Sequence, residues 1–254
     1  MNEQLFYTIL LIGFGSLGLV TFVILFFLTA PYGRHAQSGW GPMLGNRFGW
    51  LVMESPASLL FILLYILSDR KAVPAGIVFL VLWQSHYLFR AFVYPFTLQR
   101  KKNMPLLIIL FGFMFNLCNS YLQARWIYAF SPPEKYSVEW LADSRFIIGI
   151  VLFWAGYVIN KTSDRSLHIM GRSSDAEYGI PKGGLYNLVS CPNYLGEVIE
   201  WIGWALAVWS WAGLVFALWT LGNLLPRSKA HHLWYRKRFP DYPLRRKALI
   251  PFLY

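Results

Sequence analysis

The sequence predicts an all-α, polytopic membrane protein that forms a single transmembrane domain over residues 1–254. Apolar residues make up 56% of the chain and charged residues only 14%, which is more apolar than the surface of a water-soluble fold tolerates. The apolar residues fall in runs of about 20, the length that a helix needs to cross the hydrocarbon core. The two cysteines, Cys118 and Cys191, lie far apart and without metal-ligand spacing, so they indicate neither a disulfide framework nor a zinc site.

Seven apolar segments are typical of transmembrane helices. The first is too long for the core of a cleavable signal and no basic residues precede it, so we expect a true span. Proline, glycine or charged residues separate the segments. The predicted spans are Leu5–Pro31, Phe48–Leu67, Pro74–Phe96, Met104–Phe130, Phe146–Thr162, Tyr194–Trp209 and Trp211–Leu225.

The last two segments could instead form one long helix, and the distribution of charge decides between these interpretations. With seven spans and the N-terminus outside, the inner loops and tail carry 17 lysines and arginines and the outer loops carry 4. One merged helix would leave 9 inside and 12 outside, against the positive-inside rule. We therefore predict seven helices, an outer N-terminus and a cytoplasmic C-terminus. The net charge of +11 then follows from topology and anionic headgroups, or from a ligand that carries phosphate.

A glycine motif lies inside the first predicted span. Gly13, Gly15 and Gly18 match the G-x-G-x-x-G fingerprint of dinucleotide-binding folds. That fingerprint requires a preceding strand and an acidic residue about 20 positions later, and the sequence provides neither. The motif therefore predicts close packing of helices.

Ionisable groups inside the predicted spans indicate a functional cavity, because each is costly in hydrocarbon unless it meets a cavity or a partner. Glu54 lies near the inner end of the second span. His86 and Tyr87, with Arg90 one turn on, lie near the inner end of the third. A neutral carboxyl beside a phenol could donate hydrogen bonds to a carbonyl oxygen that gains negative charge. The alternative is a structural carboxylate that binds a neighbouring helix.

A second group of polar residues falls at inner span ends and in inner loops. Its carboxylates and amides suit ribose hydroxyls and a carboxamide, and its arginines suit phosphates. A solvated surface beside the membrane is the alternative. The adjacent His231 and His232 point to different helix faces, so no metal site is predicted. The group comprises Asn160, Asp164, Tyr178, Asn193, Glu197, Glu200, Arg227, His231, Tyr235 and Arg246.

Long runs in the C-terminal half are specific enough to indicate a family. They extend over Gly183–Tyr186, Asn193–Gly203 and Arg246–Phe252, and shorter matches in the N-terminal half cover Glu54–Pro56 and His86–Tyr94. These runs resemble the steroid 5-alpha-reductases, membrane enzymes that reduce the 4,5 double bond of 3-oxo-4-ene steroids with NADPH. The resemblance covers most of the chain and is strongest from Asn160 to the end.

The resemblance implies a seven-helix fold in which residues 1–130 line the lipid substrate pocket and residues 131–254 bind NADPH from the cytoplasmic side. It implies that Glu54 and Tyr87 are catalytic and hold the steroid 3-oxo group, while Trp50 forms an aromatic wall of the pocket. In two places the chain departs from the family pattern: the loop Leu98–Asn103, and Arg172, which is displaced by one position. The implied cofactor-binding residues are Asn160, Asp164, Arg172, Tyr178, Asn193, Glu197, Arg227, His231, Tyr235 and Arg246.

The predicted reaction is a conjugate reduction. Hydride passes from the nicotinamide to the β-carbon of the enone, charge collects on the carbonyl oxygen, and an acid that the sequence does not identify protonates the α-carbon. Three alternatives remain: a reductase of another enone or enoyl lipid, an S-adenosylmethionine-dependent membrane methyltransferase, and a transporter or lipid-binding protein. The expected partners are a steroid-like substrate and membrane lipids, without nucleic acid or metal, for a monomer in the bacterial inner membrane or the endoplasmic reticulum.

Overall fold

The computed structural model describes residues 2–31, 33–35, 39–98, 103–173 and 179–254 and is mostly helical. Over these ranges, seven long helices follow one another along the chain. α3 and α4 each contain a π-helical stretch, at Phe89–Val93 and Trp126–Phe130. The helices are α1 (Glu3–Phe27), α2 (Asn46–Ile66), α3 (Pro74–Thr97), α4 (Leu106–Phe130), α5 (Ser144–Ser173), α6 (Pro192–Val208) and α7 (Trp211–Arg238).

Five of these helices, α1 to α5, are long and apolar enough to cross a membrane, as expected of an integral membrane protein. α6 has only 17 residues, and α7 ends in a strongly basic turn. The count of seven spans and the orientation of the termini therefore stay predictions.

The last two predicted segments are separate helices. Trp209 ends α6 in a left-handed conformation with a φ of 47°. Ser210 then begins α7, because its hydroxyl accepts a hydrogen bond from the backbone N–H of Gly213 at 3.0 Å. Such a side-chain cap satisfies one of the backbone donors that a helix start leaves open.

Several helices end at other residues than the sequence predicted. α1 ends at Phe27 rather than at Pro31, α5 continues beyond Thr162 to Ser173, and α7 continues beyond Leu225 to Arg238. Hydropathy marks only the apolar part of a helix, whereas backbone hydrogen bonding continues into polar sequence. The additional turns of α5 and α7 carry several predicted site residues.

Glycines determine how closely α5 and α6 approach. A Cβ atom added to Gly149 or Gly156 of α5 would collide with the backbone of α6, and one added to Gly196 or Gly203 would collide with the backbone of α5. In each helix the two glycines are seven residues apart, so they lie on one face. Small residues allow this close contact where lipid supplies no hydrophobic force between helices.

The glycine motif of α1 also packs against another helix, which confirms the sequence-based interpretation. Gly18 leaves room for the indole of Trp219 in α7, and Gly15 contacts Val215. The Trp219 indole N–H donates to the Phe14 carbonyl at 2.7 Å. The remaining large side chains of α1 are mostly exposed and apolar, as expected of a surface that faces lipid.

A short antiparallel ribbon aligns the starts of α2 and α4. β1 (Met43–Gly45) pairs with β2 (Asn103–Pro105), and each strand leads directly into its helix. α2 and α4 then pack along their length, with the Ser120 hydroxyl donating to the Pro56 carbonyl at 3.3 Å. The centre of the bundle is an aromatic core that includes Phe61, Trp83, Trp201 and Trp204.

Candidate active site

Two adjoining cavities lie among α2 to α7. The larger has a volume of about 710 Å³ and the smaller about 130 Å³. Arg90, Glu197 and Leu224 line both of them. A ligand in the larger cavity would therefore lie next to one in the smaller cavity.

The smaller cavity brings together the acid and the phenol that the sequence singles out. Glu54 of α2 and Tyr87 of α3 both line it, and both are buried. Neither side chain faces lipid. Four aromatic side chains from three other helices form much of the remaining wall: Phe115, Trp201, Phe216 and Trp219.

Glu54 has two polar neighbours. The Asn116 amide of α4 donates to Glu54 Oε2 at 3.1 Å and to the Met53 carbonyl at 2.7 Å. Arg90 Nε lies 3.5 Å from Glu54 Oε1. Arg90 also lines the smaller cavity and places positive charge there beside Glu54, and a cation stabilises nearby negative charge.

Arg90 is itself held between two rings. Its guanidinium carbon lies 4.5 Å from the ring centroid of Trp50 and 4.8 Å from that of Tyr94. The two rings meet edge to face at 5.2 Å. Trp50, predicted to form a wall of the substrate pocket, lines the larger cavity.

A buried pair joins α3 to α6 beside the smaller cavity, which His86 lines. His86 Nδ1 lies 2.8 Å from Glu200 Oε1, with 3% and 0% of the two side chains exposed. The His86 ring also contacts the rings of Tyr87 and Trp201, at centroid distances of 4.9 and 4.7 Å. The sequence places Glu197 and Glu200 on one helix face. In the structure, Glu197 lines both cavities and Glu200 binds His86.

The larger cavity collects most of the predicted cofactor-binding residues. Arg246 is buried but is not among the residues that line this cavity. Tyr178 and the side chain of Arg172 lie outside the described residues, as do Gln99–Lys102 of the divergent loop. The predicted residues that line the cavity are Asn160, Asp164, Asn193, Glu197, Arg227, His231 and Tyr235.

Two hydrogen-bond networks order the walls of the larger cavity. On one side, the Asn160 amide donates to the Asn193 carbonyl and the Asn193 amide donates to Asp164 Oδ1, both at 3.0 Å. On the other side, Arg227 Nε donates to the Tyr194 hydroxyl at 2.9 Å, and this hydroxyl is 3.1 Å from His231 Nε2. Three helices, α5, α6 and α7, are fixed relative to one another by these bonds.

The composition of the larger cavity fits a dinucleotide with phosphates. Its volume lies in the usual range for cofactor pockets, roughly 300–1,000 Å³. Arg227 and His231 offer cationic or neutral donors, and Asn160, Asn193 and Asp164 offer groups that match ribose hydroxyls and a carboxamide. The described residues include no cluster of His, Cys, Asp and Glu side chains suited to a metal ion.

A comparison with known proteins identifies the family. The family model described as 3-oxo-5-alpha-steroid 4-dehydrogenase matches residues 102–254. The chain belongs to this family. This confirms the resemblance inferred from Asn193–Gly203 and Arg246–Phe252.

Family members from plants and animals align along almost the whole chain. The steroid 5-alpha-reductase DET2 of Arabidopsis thaliana is 44% identical over 92% of this chain and 91% of its own length. The 3-oxo-5-alpha-steroid 4-dehydrogenase 1 of Bos taurus is 39% identical over 94% and 93% of the two chains. The human protein of the same description is 39% identical over 88% and 86%.

In this member of the family, sequence reasoning missed three site contacts. It did not foresee that Asn116 binds Glu54, that Arg90 is the carboxylate's ion-pair partner, or that His86 binds Glu200. Each of these contacts involves a polar side chain inside an apolar span, and such a side chain requires a partner. The identity of the partner depends on the rotation and depth of each helix, which single-sequence periodicity does not give.

Proposed function

We propose that this protein reduces the 4,5 double bond of 3-oxo-4-ene steroids with NADPH. One observation carries the proposal: a cavity of cofactor size, lined by cations and amides, adjoins a small cavity where an acid and a phenol meet. Family membership supports the same reaction. The chain's own residues must then hold two ligands, stabilise charge on a ketone and exclude water.

The larger cavity is the proposed cofactor site. Arg227, His231 and Arg246 are proposed to bind phosphate groups. The buried Arg246 supports this role, because its Nε and Nη1 have no hydrogen-bond partner within the described part of the chain. Bound there, the cofactor supplies the hydride.

The polar side chains on α5 and α6 are proposed to hold the ribose and carboxamide groups. Asn160, Asp164, Asn193 and Glu197 line this part of the cavity, with Tyr235 on α7 opposite. Arg172 and Tyr178 remain proposed cofactor ligands on the resemblance alone. By the positive-inside rule, we propose that this cavity faces the cytoplasm.

The smaller cavity is proposed to receive the ketone end of the steroid. The Tyr87 hydroxyl and the Glu54 carboxyl hold the 3-oxo group, and Arg90 keeps Glu54 in place. As the double bond is reduced, negative charge grows on the carbonyl oxygen, and preorganised donors stabilise it most in the transition state. The aromatic walls exclude water from the transferring hydride. Trp50, on the side of the larger cavity, is proposed to contact the steroid near the junction.

A substrate assay tests the function directly. Purified protein in mild detergent is incubated with NADPH and testosterone or progesterone, and the products are analysed by mass spectrometry. We expect the 5α-reduced steroid and stoichiometric oxidation of NADPH. An enoyl-thioester lipid should remain unchanged, whereas a reductase of that class would consume it and leave the steroids intact.

Thermal stability distinguishes the methyltransferase alternative. A ligand that binds only the folded state raises the melting temperature. We expect NADPH to do so and S-adenosylmethionine to have no effect. Stabilisation by S-adenosylmethionine alone would assign the chain to the other reaction class.

A further inference from the structure

The proposed reduction needs an acid that adds a proton to the α-carbon of the steroid. This carbon is bonded to the ketone carbon, so the acid must lie in the cavity that holds the ketone. Glu54 and Tyr87 are occupied by the ketone oxygen, and Arg90 is bound to Glu54. Two other residues that line this cavity have ionisable side chains, Glu197 and His86. Glu197 also lines the larger cavity and is a proposed cofactor ligand, whereas His86 has a side chain that commonly transfers protons near neutral pH.

His86 is held as a proton-transfer group would be. Its Nδ1 is fixed by Glu200 Oε1 at 2.8 Å, so a carboxylate orients the ring and can stabilise the positive charge of an imidazolium. The ring contacts that of Tyr87. The proton-transfer group and the ketone-binding group are therefore neighbours in the chain and in the cavity.

If the His86–Glu200 contact served only to pack helices together, a pair of neutral polar side chains would suffice. Two residues before His86, Gln84 ties α3 to α2 by a neutral contact, because the Ser58 hydroxyl donates to the Gln84 side-chain carbonyl at 2.7 Å. Both of these residues are buried, and neither is among the residues that line the two cavities. A carboxylate and an imidazole are far more costly to bury than such a neutral pair, which favours a chemical role for His86 and Glu200.

We propose that the His86–Glu200 pair holds the proton that is added to the α-carbon. Hydride addition forms the C–H bond at the β-carbon as a C–H bond of the reduced nicotinamide breaks, and the π electrons of the enone move onto the ketone oxygen to give the enolate. The enolate then forms a C–H bond at the α-carbon as the N–H bond of the His86 imidazolium breaks. Neutral His86 stays bound to Glu200 and regains a proton from water after the product leaves. The inference rests on the proposed function.

A hydrogen-exchange assay isolates the proton step from hydride transfer. The saturated 3-oxo-5α-steroid is incubated with protein in D2O, without cofactor and then with oxidised cofactor, and deuterium at the α-carbons is followed by mass spectrometry. Wild-type protein should catalyse exchange at the carbon next to the ring junction. General acid–base groups contribute roughly a hundredfold or more, so His86→Asn should slow this exchange by about that factor, and Glu200→Gln should slow it in the same direction.

Two controls separate chemistry from damage to the fold. Ser58→Ala removes the buried hydrogen bond between α2 and α3, away from the cavities. This variant should catalyse exchange at the wild-type rate. Asn at position 86 can still donate to Glu200, so steroid binding, measured by tryptophan fluorescence, should be retained. If His86→Asn does not fold, Glu200→Gln serves as the test variant, since its amide has nearly the same shape as the carboxyl.

Isotope effects on the reduction supply a second readout. In His86→Asn and Glu200→Gln, protonation should become slow. The solvent deuterium isotope effect on the rate of steroid reduction should then rise, and the isotope effect of deuterium at the nicotinamide C4 should fall. A merely structural defect would displace the ketone and slow the hydride step instead. Exchange by His86→Asn at the wild-type rate would overturn the inference while leaving the proposed function intact. A wild-type protein that reduces no enone steroid would overturn the proposed function itself.

Discussion

At the scale of single residues, Arg90 connects the two cavities. Its guanidinium pairs with Glu54 on one side and stacks on Trp50 and Tyr94 on the other. Lysine would be a poorer substitute, because its ammonium is a point charge without the planar face and several donors of a guanidinium. Arg90 thus joins the Glu54 carboxyl of the smaller cavity to the aromatic wall of the larger cavity.

The donors at the ketone oxygen give the first prediction. Loss of one preorganised donor to a developing oxyanion typically costs about 3 kcal/mol, which lowers the rate roughly a hundredfold. Tyr87→Phe removes the phenol donor and should therefore slow turnover of a 3-oxo-4-ene steroid by about that factor, measured as NADPH oxidation at saturating substrate. Glu54→Gln replaces an acidic O–H donor with a weaker amide N–H donor and should slow turnover in the same direction. Ser58→Ala should keep normal turnover, and near-normal turnover in both site variants would refute the assigned roles.

The sequence predicted these two residues because an acid and a phenol inside apolar spans are conspicuous. It did not predict Asn116 as the amide that binds Glu54, because a neutral amide costs less free energy to bury in a span than a charge and is a weaker indication of a site. Nor could it pair His86 with Glu200, which are 114 positions apart. That contact depends on how three helices are rotated about their axes.

At the scale of elements, the crossing of α5 and α6 positions several of the proposed cofactor residues. Gly156 faces Glu200, and Gly196 faces Asn160. The hydrogen bond from the Asn160 amide to the Asn193 carbonyl joins the same two helices next to this glycine contact. The seven-residue glycine spacing is present in the sequence, but spacing alone does not give the partner helix, which depends on the tertiary packing.

The glycine contact gives the second prediction. Gly156→Ala inserts a methyl group against backbone atoms of α6, which cannot move away as a flexible side chain would. Overpacking of this kind typically costs about 1–3 kcal/mol, so the melting temperature in detergent should fall and the stabilisation by NADPH should weaken. Gly13→Ala is the matched control, because a Cβ at that position in α1 meets nothing within 4 Å. Equal melting temperatures for the two variants would contradict this role of the crossing.

The C-terminal segment docks beside the larger cavity through a small polar cluster. The Ser190 hydroxyl lies 2.6 Å from both His232 Nδ1 and the Tyr242 hydroxyl. The backbone N–H of Lys247 donates to the Leu188 carbonyl at 2.9 Å. The cluster fixes the tail that carries Arg246.

This cluster gives the third prediction, a dependence of stability on pH. His232 lies beyond the predicted span that ends at Leu225. Burial of its ring, with the positive charges of Arg236 and Lys247, lowers the pKa of His232 below its ordinary value of 6.5. The folded protein therefore takes up a proton at lower pH than the unfolded chain. The stability is fully present above the unfolded pKa and is lost as the pH falls towards the folded pKa.

The measurement compares melting temperatures at about pH 8 and about pH 5.5, on either side of the ordinary histidine pKa. Wild-type protein should lose stability on acidification, and His232→Gln should lose less, because its amide does not titrate. His168→Gln controls for a histidine outside this cluster. An identical loss in wild-type protein and His232→Gln would exclude His232 as the titrating group.

At the scale of the whole molecule, hydropathy predicted the apolar part of each long helix but not the polar C-terminal turns of α5 and α7. Asp164 and His231 lie in helical turns beyond the predicted spans. Those turns are polar because they surround the larger cavity. The family could be inferred from the runs around Asn193 and Arg246, whereas the two-cavity arrangement needed the tertiary structure.

The distribution of charge gives the last prediction, the orientation of the chain. α6 is short and α7 is apolar only in its first half, so composition alone counts five spans. The separate helices α6 and α7 nevertheless allow the chain to cross twice more. An odd number of crossings places the termini on opposite sides, and 17 of the 23 lysines and arginines then share the side of the tail.

A C-terminal fluorescent-protein fusion should fluoresce in bacterial cells, and a C-terminal alkaline phosphatase fusion should be inactive. An active C-terminal phosphatase would place the cofactor cavity on the side without NADPH, which no soluble-cofactor reductase could use.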